Sequence, residues 1–381
     1  MRILFSSLGA HGHTYPLIPL AIAAREAGHD VTFVTGVAFA GALTRHGVDH
    51  VAGGLDLREA FESAFGGAEG VQAQEVRPEQ IAFLFGDVLP RRFAADVAPV
   101  IADRKPDLVV HEVGNPGAGL AARVADVPAV CHSFGRAWQA EELGGVVLDH
   151  LSAVAADLGV DLPGEAPMTL GNPYLDICPP SVQDPVFLAT ATDRIELRPV
   201  PFAEPGELPA WVLEHREPVV YLTLGTAFGE AGVLRTAVAG LARLDARVLV
   251  AAGPTVDIAA LGDLPANVDV RAWVPQADLL PHVDLVVHHG GSGTTLGTFG
   301  AGVPQLLLPQ GADQFDNADA VVTAGLGDRL IGADVTAEAI TATARRLLAD
   351  EAVRDAAKAI AAEVAAMPSP HDVARRLPHY A

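Results

Sequence analysis

Short apolar runs recur along the chain at 3–8, 31–34, 107–111 and 129–132, and again at 219–224, 247–251, 268–271, 285–288 and 305–308. Apart from 268–271, where Asp269 interrupts, they are nearly continuous rather than alternating, which predicts strands buried on both faces, as in a parallel sheet. Each ends in a small or polar turn. Stretches with apolar positions at helical spacing lie between them, including the one that closes at Gly28 and those over 233–242, 336–348 and 352–367. A repeated strand–turn–helix rhythm predicts an α/β protein, and 381 residues exceed one ordinary core. Composition shifts between 179 and 218, where Arg198-Pro199-Val200-Pro201 and Glu204-Pro205-Gly206 read as an extended connection. The expected division is a first domain over 1–200, a linker over 201–217, a second domain over 218–365 and a terminal segment over 366–381. The region 58–103 is the least regular: helical patterns carry Phe61, Phe65, Phe83 and Phe85 around a glycine-rich interruption at 66–70. Another helical pattern runs from Trp138 to about residue 158.

The stretch 284–317 concentrates the chemistry. An apolar run ends at His288-His289, the turn Gly290-Gly291-Ser292-Gly293 follows, and Thr294-Thr295-Leu296 opens a helix. A helix start offers unpaired N–H groups and a positive dipole end, and glycines let an anion approach the backbone. A second run ends in Pro309 and delivers Asp313-Gln314. A dinucleotide fold is the nearest alternative, yet the spacing here is GxGxxxG, and the first turn, Gly9-Ala10-His11-Gly12-His13, has no GxGxxG. A glycine turn kept for tight packing explains the glycines but leaves His289, Asp313 and Gln314 unexplained together.

Charge narrows the partners. With 25 basic against 47 acidic side chains the net charge is −22, which argues against nucleic acid and anionic membranes. A diphosphate would have to be bound by local dipoles against that field. Cys131 and Cys178 offer neither a disulfide framework nor zinc spacing, and the chain has no Asp-x-Asp run, so no metal site is expected. No apolar run has the length of a membrane span or a signal sequence, and a cytoplasmic location is expected.

Trp273-Val274-Pro275-Gln276, then His289-Gly290-Gly291-Ser292-Gly293-Thr294, then Asp313-Gln314 resembles the donor signature of nucleotide-sugar glycosyltransferases with two Rossmann-like domains, the GT-B fold. Among these it is most similar to actinomycete natural-product enzymes, such as those that decorate enediynes (the calicheamicin type), macrolides and aromatic polyketides. The resemblance implies an α/β chain whose two domains face a central cleft, with the terminal segment crossing back to the first. It implies an inverting transfer of a (deoxy)sugar to a hydroxyl of an apolar aglycone in antibiotic biosynthesis. No cofactor or metal is needed, the nucleotide diphosphate sugar being a co-substrate, and the protein would act as a monomer or a homodimer.

The same resemblance implies roles for particular residues. His13, in a Gly-His-x-x-Pro setting, would be the base, and the family's aspartate partner is here Glu112, one methylene longer. Trp273 would stack on the nucleobase, with the Pro275-Gln276 turn shaping its pocket and Val274 among the donor-binding residues. Gly12, Thr226, His289, Gly291, Ser292, Gly293 and Thr294 would hold the diphosphate, and Asp313 and Gln314 the sugar hydroxyls. Phe61, Phe83 and Trp138 would wall the acceptor. Plant members end the donor motif in a glutamate that grips both ribose hydroxyls; Gly297 stands at that position and favours a thymidine diphosphate sugar. Two rivals are an epimerase or hydrolase of nucleotide sugars on the same fold, which calls for extra carboxylates near the anomeric centre, and a non-catalytic partner of another transferase, which could dispense with these residues.

Overall fold

The computed structural model describes the chain except residues 66–76, 138–140, 164–168, 215, 226–230, 254–255, 257 and 259–263, and the side chains of 141–143 and 231. Thr226 and Trp138 therefore lie outside the described residues, as does the glycine-rich interruption at 66–70. The chain divides into two compact units. One holds Met1–Ile177, Pro185–Arg198 and Pro368–Ala381; the other holds Cys178–Asp184 and Pro199–Met367.

The first unit carries β1 (Arg2–Ser6), β2 (Asp30–Thr35), β3 (Asp49–Ala52), β4 (Leu108–Glu112), β5 (Ala129–His132), β6 (Tyr174–Asp176) and β7 (Arg194–Glu196). They form one sheet in the order β3-β2-β1-β4-β5-β6-β7, all pairs parallel. The order reverses between β1 and β4, and a ligand crevice opens beyond the strand ends at such a switch point. His13 follows β1 and Glu112 ends β4, so the sheet itself brings them together. Helices cover both faces, which is why β4 is buried at every position.

The second unit carries β8 (Val219–Thr223), β9 (Arg247–Ala251), β10 (Val268–Arg271), β11 (Leu285–His288), β12 (Gln305–Leu307) and β13 (Gly327–Arg329). Their order is β10-β9-β8-β11-β12-β13, again parallel. Alternate residues serve two cores: Val220, Leu222, Leu285 and Val287 pack with Leu234, Leu241 and Ile340, while Tyr221, Leu249 and Val286 pack with Val212, Leu279 and Leu280. Each such aliphatic side chain contributes about 1.5–3 kcal/mol on burial. The switch point falls between β8 and β11, where the turns at Gly225 and His289 follow.

Three features depart from the sequence reading. The 201–217 stretch is more than a connection, since Ala210–Glu214 is helical and Val212 is buried in the second unit's core. The turn after β1 contains a helical segment, His11–Thr14, and a longer helix follows at Ile18–Glu26. Strands β3, β6, β7 and β13 lie outside the apolar runs. At the C-terminus Ser369 caps the helix Pro370–Ala374 through a reciprocal capping box with Asp372. That helix packs on Ile18–Glu26, with His371 Nε2 2.7 Å from Glu26 Oε2.

Candidate active site

The segment bearing His13 is fixed by a buried hydroxyl cluster. Thr14 Oγ1 donates to the Leu8 carbonyl at 2.8 Å and lies 2.9 Å from Ser7 Oγ and 3.2 Å from Thr35 Oγ1. Asn115 Nδ2 donates to Ser6 Oγ at 2.9 Å, and Asn115 Oδ1 caps the helix Pro116–Val124. The segment after β1 is thereby tied to the end of β2, and the segment after β4 to the end of β1. His13 Nδ1 stands 3.1 Å from Glu112 Oε2. Oε1 of the same carboxylate accepts the Gly114 N–H at 2.6 Å. A Cβ at Gly114 would come within 3.0 Å of Oε1 and 3.3 Å of His13 Cε1, so this glycine, absent from the candidate set, leaves room for the pair. The Phe134 ring lies 4.7 Å from that of His13, and His11 packs edge-on against Tyr15 and Phe39.

Glu112 is fully buried, and His111, His132 and Cys131 around it are held in their uncharged forms near neutral pH. Burial pushes His111 and His132 down to about 4, against the pull of Glu112, and holds the Cys131 thiol well up. His132 lies beside Glu112 in the β4–β5 register and donates from Nδ1 to the Ser133 carbonyl. A proton taken up by His13 would therefore create the compensating positive charge.

In the second unit the ring of His289 fills a slot between two glycines. A Cβ on Gly225 would lie 2.8 Å from Nε2, and one on Gly291 would lie 2.5 Å from it. Gly225 also has φ +78, which favours glycine. Burial pushes His289 down to about 4, with the Thr223 backbone pulling the other way. The ring is thus neutral near pH 7, with a single N–H. The helix Ser292–Ala301 begins immediately after, with Gly291 as its N-cap residue. Nothing lies within 4 Å of a Cβ built on Gly293 or on Gly12 of the first unit.

Asp313 and Ser292 meet directly: Ser292 Oγ donates to Asp313 Oδ2 at 2.7 Å. Asp313 precedes the helix Gln314–Thr323 without capping it through its side chain. Gln314 is buried, and its Oε1 accepts the N–H groups of Gln310 and Gly311 at 2.8 and 3.1 Å. What Gln314 can offer a sugar is its amide NH2 rather than that oxygen. Gln276 Oε1 accepts from Thr294 Oγ1 at 3.2 Å and from Tyr221 Oη at 3.4 Å, which joins the Trp-Val-Pro-Gln turn to the glycine turn. Trp273 is 45% exposed, and Gly206 packs against its six-membered ring, where an added Cβ would lie 2.4 Å from Cζ3. The Val274 side chain is buried with Leu279 and Leu280.

Three residues that the sequence reading passed over bind this turn from behind. His288, Gln305 and Asn317 are buried, and each bonds to the turn or to a neighbour of it. The doubled histidine was the one visible signal. In the first unit Phe61, Phe65, Phe83 and His150 form a half-buried chain of rings with centroids 4.9, 6.1 and 5.3 Å apart.

Residues 235–379 match the family described as erythromycin biosynthesis protein CIII-like, C-terminal domain. Over 389 residues the chain is 33% identical to the L-demethylnoviosyl transferase of Streptomyces niveus, covering 99% of this chain and 97% of that one. It is 34% identical over 398 residues to the elloramycin glycosyltransferase ElmGT of Streptomyces olivaceus, with the same coverage. The crystal structure of the Streptomyces sp. SF2575 glycosyltransferase SsfS6, complexed with thymidine diphosphate, superposes with a TM-score of 0.81 at 28% identity, covering 100% of this chain and 99% of that one. The chain belongs to the actinomycete antibiotic glycosyltransferases of the GT-B fold.

Proposed function

We propose that this glycosyltransferase moves a (deoxy)sugar from a thymidine diphosphate sugar to a hydroxyl of an apolar natural-product aglycone, with inversion and without a metal ion. The observation that carries the reading is the approach of His13 to the buried carboxylate of Glu112. With Nδ1–H held toward Glu112, Nε2 is the basic nitrogen and takes the acceptor's O–H proton. The acceptor oxygen forms its bond to the anomeric carbon as the bond to the diphosphate oxygen breaks. The electron pair leaves with thymidine diphosphate. A single displacement inverts the anomeric centre.

The first unit supplies the base and, through Phe61 and Phe83, an apolar wall for the aglycone. The second supplies the donor contacts: Trp273 for the base, His289 and the N–H groups from Gly291 to Thr294 for the diphosphate, Asp313 and Gln314 for the sugar. Preorganised donors and a helix dipole stabilise a leaving diphosphate without a cation. Excess chelator is accordingly expected to leave turnover unchanged; loss of activity restored by magnesium or manganese would refute that part.

Thymidine is favoured by Gly297 and by the thymidine diphosphate bound in SsfS6. A Cβ on Gly297 would meet Leu280 at 3.1 Å and Pro201 at 3.5 Å, so the position cannot gain a ribose-gripping glutamate without repacking. Calorimetric titration with thymidine and uridine diphosphate tests the preference, and mass spectrometry of mixtures with thymidine diphosphate sugars and apolar aglycones tests transfer. Tighter thymidine binding and a glycosylated product are expected. Equal or stronger uridine binding removes the nucleotide assignment, and hydrolysis without transfer removes the reading as a whole.

A further inference from the structure

Gly290 is the hinge of the glycine turn. Its φ is +93, and a Cβ there would stand 2.9 Å from the Gln314 carbonyl, so the position needs glycine. Glycine is also the residue with the most backbone freedom to lose. Two buried side chains restrain it. His288 Nδ1 accepts the Gly290 N–H at 3.1 Å, and Asn317 Nδ2 donates to the Gly290 carbonyl at 2.9 Å. These bonds fix different peptide planes. The first sets the 289–290 plane, which carries His289, and the second sets the 290–291 plane. Because a trans peptide is planar, holding the Gly290 carbonyl also fixes the opposite direction of the Gly291 N–H.

Each restraint is itself held. His288 Nε2 lies 2.7 Å from Gln305 Oε1, and both residues are fully buried. Since Nδ1 accepts a proton from the backbone, the ring's own hydrogen must sit on Nε2 and point at Gln305. Burial and the adjacent His289 hold His288 down to about 3, so the ring stays neutral. Asn317 gives its second amide hydrogen to Asp313 Oδ2 at 2.9 Å, and Nδ2 also lies 3.2 Å from Ser292 Oγ.

We propose that His288, oriented by Gln305, and Asn317 are positioning residues that clamp Gly290 from both sides and so aim the His289 ring and the Gly291 N–H at the donor diphosphate. Asn317 extends the clamp to Asp313 and couples the diphosphate turn to the sugar contact. The proposal rests on the assignment of this turn to the donor.

The test is calorimetric titration of thymidine diphosphate into the full chain, with transfer kinetics alongside. In His288→Asn, Oδ1 takes the place of Nδ1 and still accepts the Gly290 N–H; in His288→Gln the amide reaches toward Gln305 instead. Affinity is expected within about threefold of wild type for His288→Asn, and about 10- to 100-fold weaker for His288→Gln, His288→Leu and Asn317→Leu, the cost of one buried group losing its partner. Donor KM should rise in step while acceptor KM holds. A merely structural role would lower the binding-competent fraction and leave the Kd of the remainder unchanged, and that result would overturn the proposal. Equal affinities of the Asn and Gln variants would overturn it too, and this pair decides the matter if the leucine variants do not fold. Wild-type protein that binds no nucleoside diphosphate would remove the donor assignment and this inference together.

Discussion

His13 faces a carboxylate that has one oxygen satisfied by the Gly114 N–H and the other turned toward the imidazole. Opposite charges about 4 Å apart at a protein-like dielectric attract by roughly 4 kcal/mol; in the proposed mechanism that attraction is the contribution of Glu112, greatest once His13 has taken the proton. His13→Ala is expected to lower kcat by about 10²–10⁴, the range for loss of a general base, with little change in thymidine diphosphate affinity. Glu112→Gln should lower it less, because the amide keeps the shape and loses the charge. Wild-type turnover by His13→Ala under chemistry-limited conditions would refute the assignment. His13 and Glu112 were marked by the family resemblance, and the parallel pairing of β1 with β4 brings their segments side by side. The sequence was silent on Gly114, whose importance lies in the space it leaves, and on Asn317, whose bonds run to another element.

Most strands legible in advance have at least a short unbroken apolar core, as in β4 and β11, buried throughout, whereas β10, Val268–Arg271, alternates apolar and charged residues. The strands missed are short and charged, such as β7, Arg194–Glu196, or open on a glycine, such as β13, Gly327–Arg329. Partners across the sheet, rather than local pattern, make these residues extended. The helix Ser292–Ala301 was legible from its glycine turn, and its start offers a clean perturbation. Gly291 has φ −62 and ψ 141, which any residue adopts, so an added methyl meets no backbone penalty and only the enclosed His289 ring. Gly291→Ala is expected to weaken thymidine diphosphate binding at least tenfold, about 1.4 kcal/mol, while the melting temperature moves by a few degrees. Unchanged affinity would mean that the ring yields freely and does not serve the diphosphate.

For the whole molecule, pH should act on both units at once. His111 and His132 in the first unit and His288 and His289 in the second are all held at about 3 or 4, against 6.5 for the free side chain. As pH falls below 6.5 the unfolded chain takes up protons that the folded chain refuses, so stability declines until the folded values are reached. Each histidine contributes up to about 1.4 kcal/mol per pH unit in that window. Calorimetric melting is expected to show a steep fall between pH 6.5 and 4; a melting temperature constant from pH 7 to pH 5 would show that these rings are not buried neutral. The docking of Pro368–Ala381 onto the first unit has a different consequence. That unit cannot be completed at the ribosome until the second has been synthesised, so it waits unfinished while its neighbour folds. A hybrid that joins the front of one relative to the back of another must borrow its tail from the parent of the front. Otherwise Val373, Ala374 and Leu377, all buried, would seat in a core shaped for other side chains.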